Sequence, residues 1–523
     1  MRGRTRRLRD DGAVLAIALM AAAMPPQVRA QSTPPTSATP VLDGGELDVR
    51  EHDLDNGMRF LILPRPGAPT VTFVAHVPVG SVNESLGTTG IAHFVEHLLF
   101  KGTTTIGTID AGAERALFDR MDAAHDSLLA VMGRRPDPDS VALRRLETRI
   151  EVLEDSARAY VVPNQFDRIL SRNGARGLNA STSYEDTRYY VSLPSNRAKL
   201  WFVLEADRLR NPVFREFYTE RDVIAEERRL RIETSPAGLL YEAHFGTAFR
   251  VHPYGVPPTG HMDDILTLSR PQVREHFERY YGPNNTTVAV VGDIDPDSAV
   301  TWAERYFGPI EPSAPAPPVL VREPEQRGER RVEVRFDAES QLRIGWKIPE
   351  ATHPDAPGLA MLANLLVAGR DTRLYRRLVR DERLATAVTA GTGPGSRYPG
   401  LFTIQATPRA PYSAEEVEMA IYEELERLRT TPPSPDELER VRTRLAASEI
   451  RRLASKEGLA FQIVASEALW GDWRETFRAQ ERMQSVSADD IVDLLNRYFE
   501  PERRTVAILR RGEPTPDDPG GAR

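Results

Sequence analysis

Residues 279–291 read RYYGPNNTTVAVV, and residues 497–509 read RYFEPERRTVAIL, 218 positions further along the chain. In each copy a serine, Ser269 or Ser487, stands ten positions before the first arginine, where it can cap a helix. A proline turn and an apolar run follow, which predict a turn and then a buried strand. The same helix–turn–strand unit therefore occurs twice, and we predict two homologous domains.

Two further matches extend the duplication over most of the chain. Glu220-Arg221 matches Glu439-Arg440 at an offset of 219, whereas residues 90–92 match residues 358–360 at an offset of 268. Because the two offsets differ, the first copy must hold about 50 extra residues between positions 92 and 220.

The extra residues predict a helical hairpin inserted at about residues 112–162. Apolar residues recur every three or four positions in two runs, separated by a turn with two prolines: Leu117, Met121, Ala124, Leu128 and Val131, then Leu146, Ile150, Leu153, Ala157 and Tyr160. This spacing places one apolar seam on each helix. The hairpin is either a surface decoration or a functional lid or docking arm, and its His125 is expected at the surface.

Composition limits the classes of function. The chain has 523 residues, of which 40% are hydrophobic and 28% charged, with a net charge of −8 and no cysteine. Its size suits more than one globular core, and its acidic balance argues against a nucleic-acid-binding surface. Without cysteine there are no disulfides, thiolate zinc sites or cysteine nucleophiles. Any metal must be held by carboxylates and by some of the ten histidines.

The first 30 residues have the pattern of an export signal. Several arginines precede an uncharged apolar run at 12–24, and Val28-Arg29-Ala30 is a small-x-small cleavage pattern. We expect a cleaved signal peptide at 1–30 and a periplasmic protein, with an uncleaved interfacial helix as the alternative. The apolar run is too short to span a bilayer, and no other segment looks transmembrane.

Proline-rich and polar stretches suggest the remaining boundaries. We expect a disordered tether at 31–45, a catalytic domain at 46–312, a proline-rich linker at 313–328, a second domain at 329–511 and a flexible tail at 512–523.

Residues 88–102, TTGIAHFVEHLLFKG, predict a short helix that carries metal ligands. His93 and His97 are four positions apart, so both imidazoles leave one face and can reach one ion at about 2.0–2.1 Å. Glu96 shares that face, where a carboxylate beside a metal can accept a proton from water. His-x-x-Glu-His is the inverted zincin motif, although two unrelated histidines on an amphipathic helix would give the same pattern.

A second predicted helix, residues 217–233, supports the metal hypothesis. Glu220, Val223, Ile224 and Glu227 form one helical stripe, so its apolar face carries a carboxylate at each end. Such carboxylates are costly to bury unless a cation or hydrogen-bond donors compensate. Glu227 as a third ligand would complete a His2Glu zinc set with one open position, and Glu220 would orient a histidine. Arg228 is expected at the surface. An ordinary charged helix remains the alternative.

These motifs resemble those of the pitrilysin/insulinase (inverzincin) zinc metallopeptidases, and most closely the bacterial processing-peptidase-like members. The resemblance covers nearly all of the chain beyond the signal and rests on four stretches: residues 93–103, 178–183, 220–227 and 252–255. It implies an α+β fold in which each half packs helices on an antiparallel sheet, with the helical-hairpin insertion in the first half and two such units closing around a chamber.

The resemblance also implies residue roles. His93, His97 and Glu227 would bind one Zn2+ per chain, Glu96 would be the general base and Glu220 would steady the site. Asn179 and Ala180 would lie on the strand edge that pairs with the backbone of a peptide substrate.

The second repeat lacks the chemistry of the first. Aligned with His93, Glu96, His97 and Glu227 are Met361, Asn364, Leu365 and Ala446, so the second half cannot hold the metal.

One departure from the family concerns the assembly. Active two-domain members place an Arg and a Tyr, seven apart, in the stretch matching residues 378–388, where this chain has Val379 and Thr386, with Arg380 one position off. Because an oxyanion donor contributes several kcal/mol, we expect weak activity from this chain alone. A zinc-less paralogous subunit supplying the pair is the first hypothesis, and a homodimer is the alternative.

Two functions are compatible with the sequence. The first is a periplasmic zinc metalloendopeptidase acting on peptides or unfolded segments. The second is a non-catalytic scaffold or assembly subunit of the same fold.

Overall fold

The computed structural model describes residues 47–133 and 138–512. The expected signal peptide and tether, and the tail from residue 513, lie outside the described residues, as does most of the turn in the predicted hairpin. Within the described ranges, no helix is both long enough and apolar enough to cross a bilayer.

The first half contains a six-stranded sheet. Its strands are β1 (Arg50–Asp53), β2 (Arg59–Pro64), β3 (Thr70–Val77), β4 (Arg176–Thr182), β5 (Thr187–Pro194) and β6 (Thr287–Gly292). They lie in the order β1-β2-β6-β3-β5-β4. All neighbours are antiparallel except β2 and β6, which are parallel in register Arg59 to Thr287. A parallel pair requires a long crossover connection, which the chain between these two strands supplies.

The second half contains a five-stranded sheet with the same plan. Its strands are β7 (Arg330–Phe336), β8 (Gln341–Ile348), β9 (Ala385–Gly393), β10 (Gly400–Pro408) and β11 (Arg504–Arg511), in the order β7-β11-β8-β10-β9. Here β7 and β11 form the parallel pair. The fold is therefore α+β with two homologous units, as predicted, but each sheet is antiparallel except for one pair.

Helices lie between the strands along the chain in both halves. In the first half they are α1 (Ile91–Leu98), α2 (Ala111–Met132), α3 (Ser140–Arg158), α4 (Gln165–Arg172), α5 (Ala198–Arg210), α6 (Phe217–Arg228), α7 (Pro236–Ala248), α8 (Met262–Thr267), α9 (Arg270–Tyr280) and α10 (Pro296–Tyr306). In the second half they are α11 (Ala356–Val367), α12 (Ala414–Thr430), α13 (Pro435–Ala454), α14 (Lys456–Trp470), α15 (Glu475–Ser485) and α16 (Ala488–Tyr498).

Helices α2 and α3 pack against each other and form the predicted hairpin. Met121 and Leu128 of α2 are buried, as are Ile150 and Leu153 of α3, so the apolar seams meet as their spacing predicts. The surface prediction for His125 is wrong. It is buried beside Tyr218 of α6, because the hairpin packs against the first half and covers this face of α2.

Each half contributes one helix that packs on the sheet of the other half. The outer face of the first sheet packs against α14 of the second half. The sheet contributes Leu61, Leu63, Val74, Ala289 and Val291. The second half contributes Leu459, Ala460, Ile463 and Val464 of α14, together with Trp473 just after it. Reciprocally, Leu240 of α7 packs against Ala507 and Leu509 of β11. Because α7 and α14 occupy matching positions in the two repeats, each repeat uses the equivalent helix to cover the sheet of the other repeat.

The segment between the halves is extended and anchored. Residues 311–327 contain no helix or strand, as a proline-rich connection predicts. Glu323 accepts hydrogen bonds from the backbone N–H groups of Arg250, Val251 and His252 at 3.0–3.1 Å. Gln326 donates to the carbonyl oxygen of Arg504 at 2.7 Å. These bonds attach the segment to both halves.

Candidate metal centre

Helix α1 presents both histidines of the His-x-x-Glu-His motif on one face. It begins after Gly90, whose φ of +87° favours glycine, and continues into a 3₁₀ turn at Leu99–Lys101. The ring centroids of His93 and His97 lie 4.8 Å apart and the rings are nearly perpendicular. The opposite face of α1, with Phe94, Val95 and Leu98, lies in the core of the first half. The two histidine side chains therefore project from the side of α1 that faces away from this core.

Helix α6 brings the third donor to the same point. Glu227 Oε1 lies 3.8 Å from His93 Nε2, and Glu227 Oε2 lies 3.5 Å from His97 Nε2. Donor atoms of these three residues all lie within 4.8 Å of one another. Three ligands at about 2.0–2.1 Å from one tetrahedral zinc ion would be about 3.4 Å apart. The donor set and its spacing therefore fit a zinc ion.

The electrostatics of the three donors also suit a cation. Burial lowers the pKa of His93 to about 3, with a further contribution from His97, so His93 is neutral and able to act as a ligand. Burial would also lower the pKa of His97, but hydrogen bonds to Glu220 and Glu227 outweigh it and raise the pKa to about 9. Burial opposes ionisation of Glu227, yet the two histidines and Arg231 hold its pKa at about 2. The carboxylates thus create a potential that attracts positive charge.

Glu96, one residue before His97, is buried beside the donors. Its Oε2 accepts a hydrogen bond from Thr182 Oγ1 at 2.5 Å. Burial raises the pKa of Glu96, and the Thr182 hydroxyl acts in the opposite direction. A carboxyl group with a raised pKa, beside a candidate metal site, is suited to accept a proton from water.

Glu220 lies about two helical turns before Glu227 and contacts His97 on the side of the ring away from Glu227. Its Oε2 is 3.3 Å from His97 Nδ1, the nitrogen that does not face Glu227. Its Oε1 lies 2.5 Å from Lys101 Nζ, which is also 3.5 Å from Glu216. An acceptor on Nδ1 fixes the ring orientation and leaves Nε2 as the ligand nitrogen.

Strand β4 forms an edge of the first sheet and leads to the same site. Asn179 is exposed and Ala180 is buried, and both pair with β5 on one side only, opposite Tyr190 and Tyr189. Two residues further along β4, Thr182 contacts Glu96. The predicted peptide-binding edge therefore lies on the same short strand as Thr182, which contacts the predicted base.

Three neighbours of the site were not singled out from the sequence. Thr182 and Lys101 contact Glu96 and Glu220, and Arg231 Nη2 lies 2.8 Å from Glu227 Oε1. Lys101 and Arg231 each lie four positions beyond a predicted ligand, a helical spacing that could have indicated them. The surface prediction for Arg228 is wrong, because its guanidinium is buried and donates to the Gly260 carbonyl and, at 2.9 Å, to Glu242.

The matching place in the second half is apolar. Met361, Leu365 and Ala446 are buried on α11 and α13, and the side-chain amide of Asn364 donates to the Ala360 carbonyl of its own helix. These side chains offer no ligand set for a zinc ion.

The stretch expected to hold an Arg/Tyr pair has other contacts. Val379 packs against the second core, and Thr386 is exposed on β9. Arg380 is about half exposed and pairs with Asp371 and Asp381.

Sequence profiles of known families match both halves of the chain. A profile described as "Insulinase (Peptidase family M16)" matches residues 59–114 and 156–259. A profile described as "Peptidase M16 inactive domain" matches residues 267–445. The gap in the first match lies within the α2–α3 hairpin, and the second match includes residues 329–445 of the half without the donor set.

Similar proteins cover nearly the whole chain. The zinc protease PqqE of Helicobacter pylori is 28% identical over 467 residues, which cover 87% of this chain and 91% of that one. An uncharacterized zinc protease, YmxG of Bacillus subtilis, is 23% identical over 89% of this chain and 99% of that one.

Solved structures show the same fold. The crystal structure of a protease from Helicobacter pylori has a TM-score of 0.75 at 26% identity and covers 89% of this chain and all of that chain. A peptidase M16 inactive domain from Pseudomonas fluorescens has a TM-score of 0.70 at 15% identity, covering 89% of this chain and 98% of that chain.

Proposed function

Because this chain belongs to the M16 pitrilysin/insulinase family of two-domain proteins, we propose that it is a zinc-dependent endopeptidase. His93, His97 and Glu227 would hold the ion and Glu96 would be the general base. One observation carries the proposal: donor atoms of a His2Glu set lie within 4.8 Å of one another, and Glu96 is on the same helix as two of them.

In this proposal, the ion and the residues of the chain would have separate roles in peptide hydrolysis. When bound, zinc would supply Lewis-acid chemistry that polarises a peptide carbonyl and acidifies water. Glu96 would accept the proton of the attacking water at a carboxylate oxygen and deliver it to the nitrogen of the leaving amine. The Thr182 hydroxyl would hold Oε2 in place, and the raised pKa of Glu96 would favour acceptance of the proton from water.

Substrates would bind as extended peptides along β4. The edge at Asn179 and Ala180 offers backbone groups to a peptide strand, a mode that depends on backbone shape more than on side chains. A peptide or an unfolded segment can adopt this conformation, whereas a folded protein presents few free extended stretches. We therefore propose peptides and unfolded polypeptide segments as the substrate class.

The reaction chamber would lie between this chain and a second one. Within the chain the two halves are packed directly on each other through α7 and α14, which supports placing the chamber outside this contact. The first hypothesis for the second chain is a zinc-less paralogue that supplies the Arg/Tyr pair absent at Val379 and Thr386. A homodimer is the alternative, and high peptidase activity from the purified single chain would exclude the paralogue hypothesis.

Export to the periplasm is proposed from the N-terminal pattern alone. N-terminal sequencing of the secreted protein should begin at Gln31, just after the Val28-Arg29-Ala30 pattern.

The Glu96→Gln variant tests the catalytic proposal. It keeps the shape of the side chain and the zinc donors but cannot accept the proton, so peptide cleavage should fall by about 10²-fold or more while one zinc per chain is retained. Glu226→Gln on α6, whose carboxylate is exposed and pairs with Arg229, is the control and should retain activity. Wild-type biological activity in the Glu96→Gln variant would instead favour the scaffold function.

A further inference from the structure

Helix α1 begins without a capping side chain of its own. Its N-cap residue is Gly90, and the N–H groups of the first turn have no side-chain acceptor within the helix. Unsatisfied N–H groups at a helix start are costly when they are removed from water. Gly90 is buried and α1 holds two of the proposed zinc ligands, so the way this end is held affects the position of both histidines.

The carboxylate of Glu84, which precedes the helix by a few residues, accepts from the N-cap N–H and from one N–H of the first turn. Glu84 Oε2 accepts from the N–H of Gly90 at 2.8 Å, and Glu84 Oε1 accepts from the N–H of Ala92 at 2.9 Å. Both oxygens are used, and both bonds end within three residues of His93. A carboxylate that binds two N–H groups at a helix N-terminus also complements the helix dipole.

A second carboxylate holds the residues just before the helix. Asp264 Oδ2 of α8 accepts from the N–H of Thr89 at 3.2 Å, from its hydroxyl at 2.6 Å and from the N–H of Gly87 at 3.1 Å. Thr89 Oγ1 in turn accepts from the N–H of His261 at 2.8 Å. The start of α1 is therefore fixed from two directions.

The repeat without a zinc site lacks this arrangement. Helix α11, the counterpart of α1, follows Asp355, whose carboxylate is turned to Arg497 and to Tyr498 at 2.5 Å. In the described part of the second half, no carboxylate accepts from the first-turn N–H groups of α11. The external clamp thus accompanies the half that carries the histidines.

We propose that Glu84 is a positioning residue for the zinc site, which clamps the start of α1 so that His93 and His97 are held at ligand spacing before the ion binds. The proposal rests on the zinc-binding part of the proposed function. It assigns to Glu84 a role in metal affinity, in addition to its contribution to folding.

The test compares zinc affinity in two carboxylate variants. Glu84→Gln keeps one acceptor and loses the other together with the charge. Glu323→Gln is a matched control, because Glu323 also accepts backbone N–H groups, at Arg250, Val251 and His252, but touches no proposed ligand. Both should lower thermal stability. Burial raises the pKa of Glu84 to about 7, although its two N–H donors act in the opposite direction. Zinc affinity is therefore measured at pH 8, where this carboxylate is mostly ionised.

Glu84→Gln should weaken zinc binding by about tenfold, measured by competition with a chelator, and should alter the visible spectrum of the Co2+-substituted protein. Glu323→Gln should change neither. Unchanged zinc affinity in folded Glu84→Gln, or an equal loss in Glu323→Gln, would overturn the proposal. A wild-type chain that binds no zinc would instead contradict the proposed function itself.

A second measurement does not depend on the variant folding. Hydrogen exchange of the wild-type protein should show that the amides of Gly90 and Ala92 are protected in the zinc-free chain as strongly as in the zinc-loaded chain. Rapid exchange in the zinc-free chain would show that the metal, and not Glu84, orders this end of the helix.

Discussion

Nδ1 of His97 lies 3.3 Å from Oε2 of Glu220, while Nε2 of the same ring lies 3.5 Å from Glu227. One imidazole therefore joins two carboxylates of α6, one as the proposed co-ligand and one as the group that orients the ring. Lys101 neutralises the outer oxygen of Glu220 at 2.5 Å, which makes it less costly to keep this carboxylate ionised in a mostly buried place.

Replacing Glu220 by Gln should reduce zinc affinity by about 10- to 100-fold, because His97 loses the charged acceptor that fixes its orientation. Glu226→Gln, on the exposed face of the same helix, should leave zinc affinity unchanged. Titration with a metal chelator measures both. Equal affinity in Glu220→Gln and wild type would show that His97 is oriented by other contacts.

Replacing Thr182 by Val should move the acid limb of the kcat/KM pH profile to higher pH, because the hydroxyl lowers the pKa of Glu96. With a higher pKa, Glu96 stays protonated, and inactive as a base, to a higher pH. Ser181→Ala, at the exposed neighbouring position on β4, is the control and should keep the wild-type profile. If Thr182→Val lowered kcat/KM without shifting its acid limb, Thr182 would affect the geometry of the site and not the pKa of Glu96.

Replacing Ile463 by Ala should destabilise the chain by about 2–5 kcal/mol, because this fully buried side chain of α14 lies in the cluster against the first sheet. Ile450→Ala, a partly exposed position on α13, should cost far less. Denaturant unfolding measures the free energy. Hydrogen exchange should rise in β3 and β6 of the Ile463→Ala variant, and unchanged protection there would contradict the reciprocal packing.

Stability should fall as the pH drops from about 6.5, partly because of His244. Burial, with Arg343 and Lys347 nearby, lowers its pKa in the folded chain to about 3, although the N–H donated to the Thr505 carbonyl opposes this. An unfolded histidine has a pKa of about 6.5, so between these values the unfolded state binds more protons and is favoured by acid. Each such histidine contributes up to about 1.4 kcal/mol per pH unit.

The His244→Asn variant should therefore show a shallower decline between pH 6.5 and pH 5 than the wild type, measured by denaturant unfolding at each pH. His353→Asn, the same substitution at a partly exposed position, is the control. An identical slope in His244→Asn and wild type would mean that acid unfolding is governed by other groups.

Much of the architecture follows from local pattern. The duplicated helix–turn–strand unit predicted two similar halves, and the two sheets share one strand order apart from the extra β1. Helical spacing predicted that His93 and His97 share a face, and that Glu220 and Glu227 share another. These predictions depend only on the period of the α-helix, which is the same wherever the helix lies.

Other features depend on which faces meet in three dimensions. The Thr182–Glu96 hydrogen bond joins residues 86 positions apart, and nothing in either local sequence indicates it. The burial of His125 and Arg228, and the crossing of α7 and α14 to the opposite sheets, arise in the same way. The sequence alone determined which side chains can act together on one element, since periodicity is local. The tertiary structure decided which elements are neighbours, because burial and hydrogen bonding between distant segments are satisfied only in the folded chain.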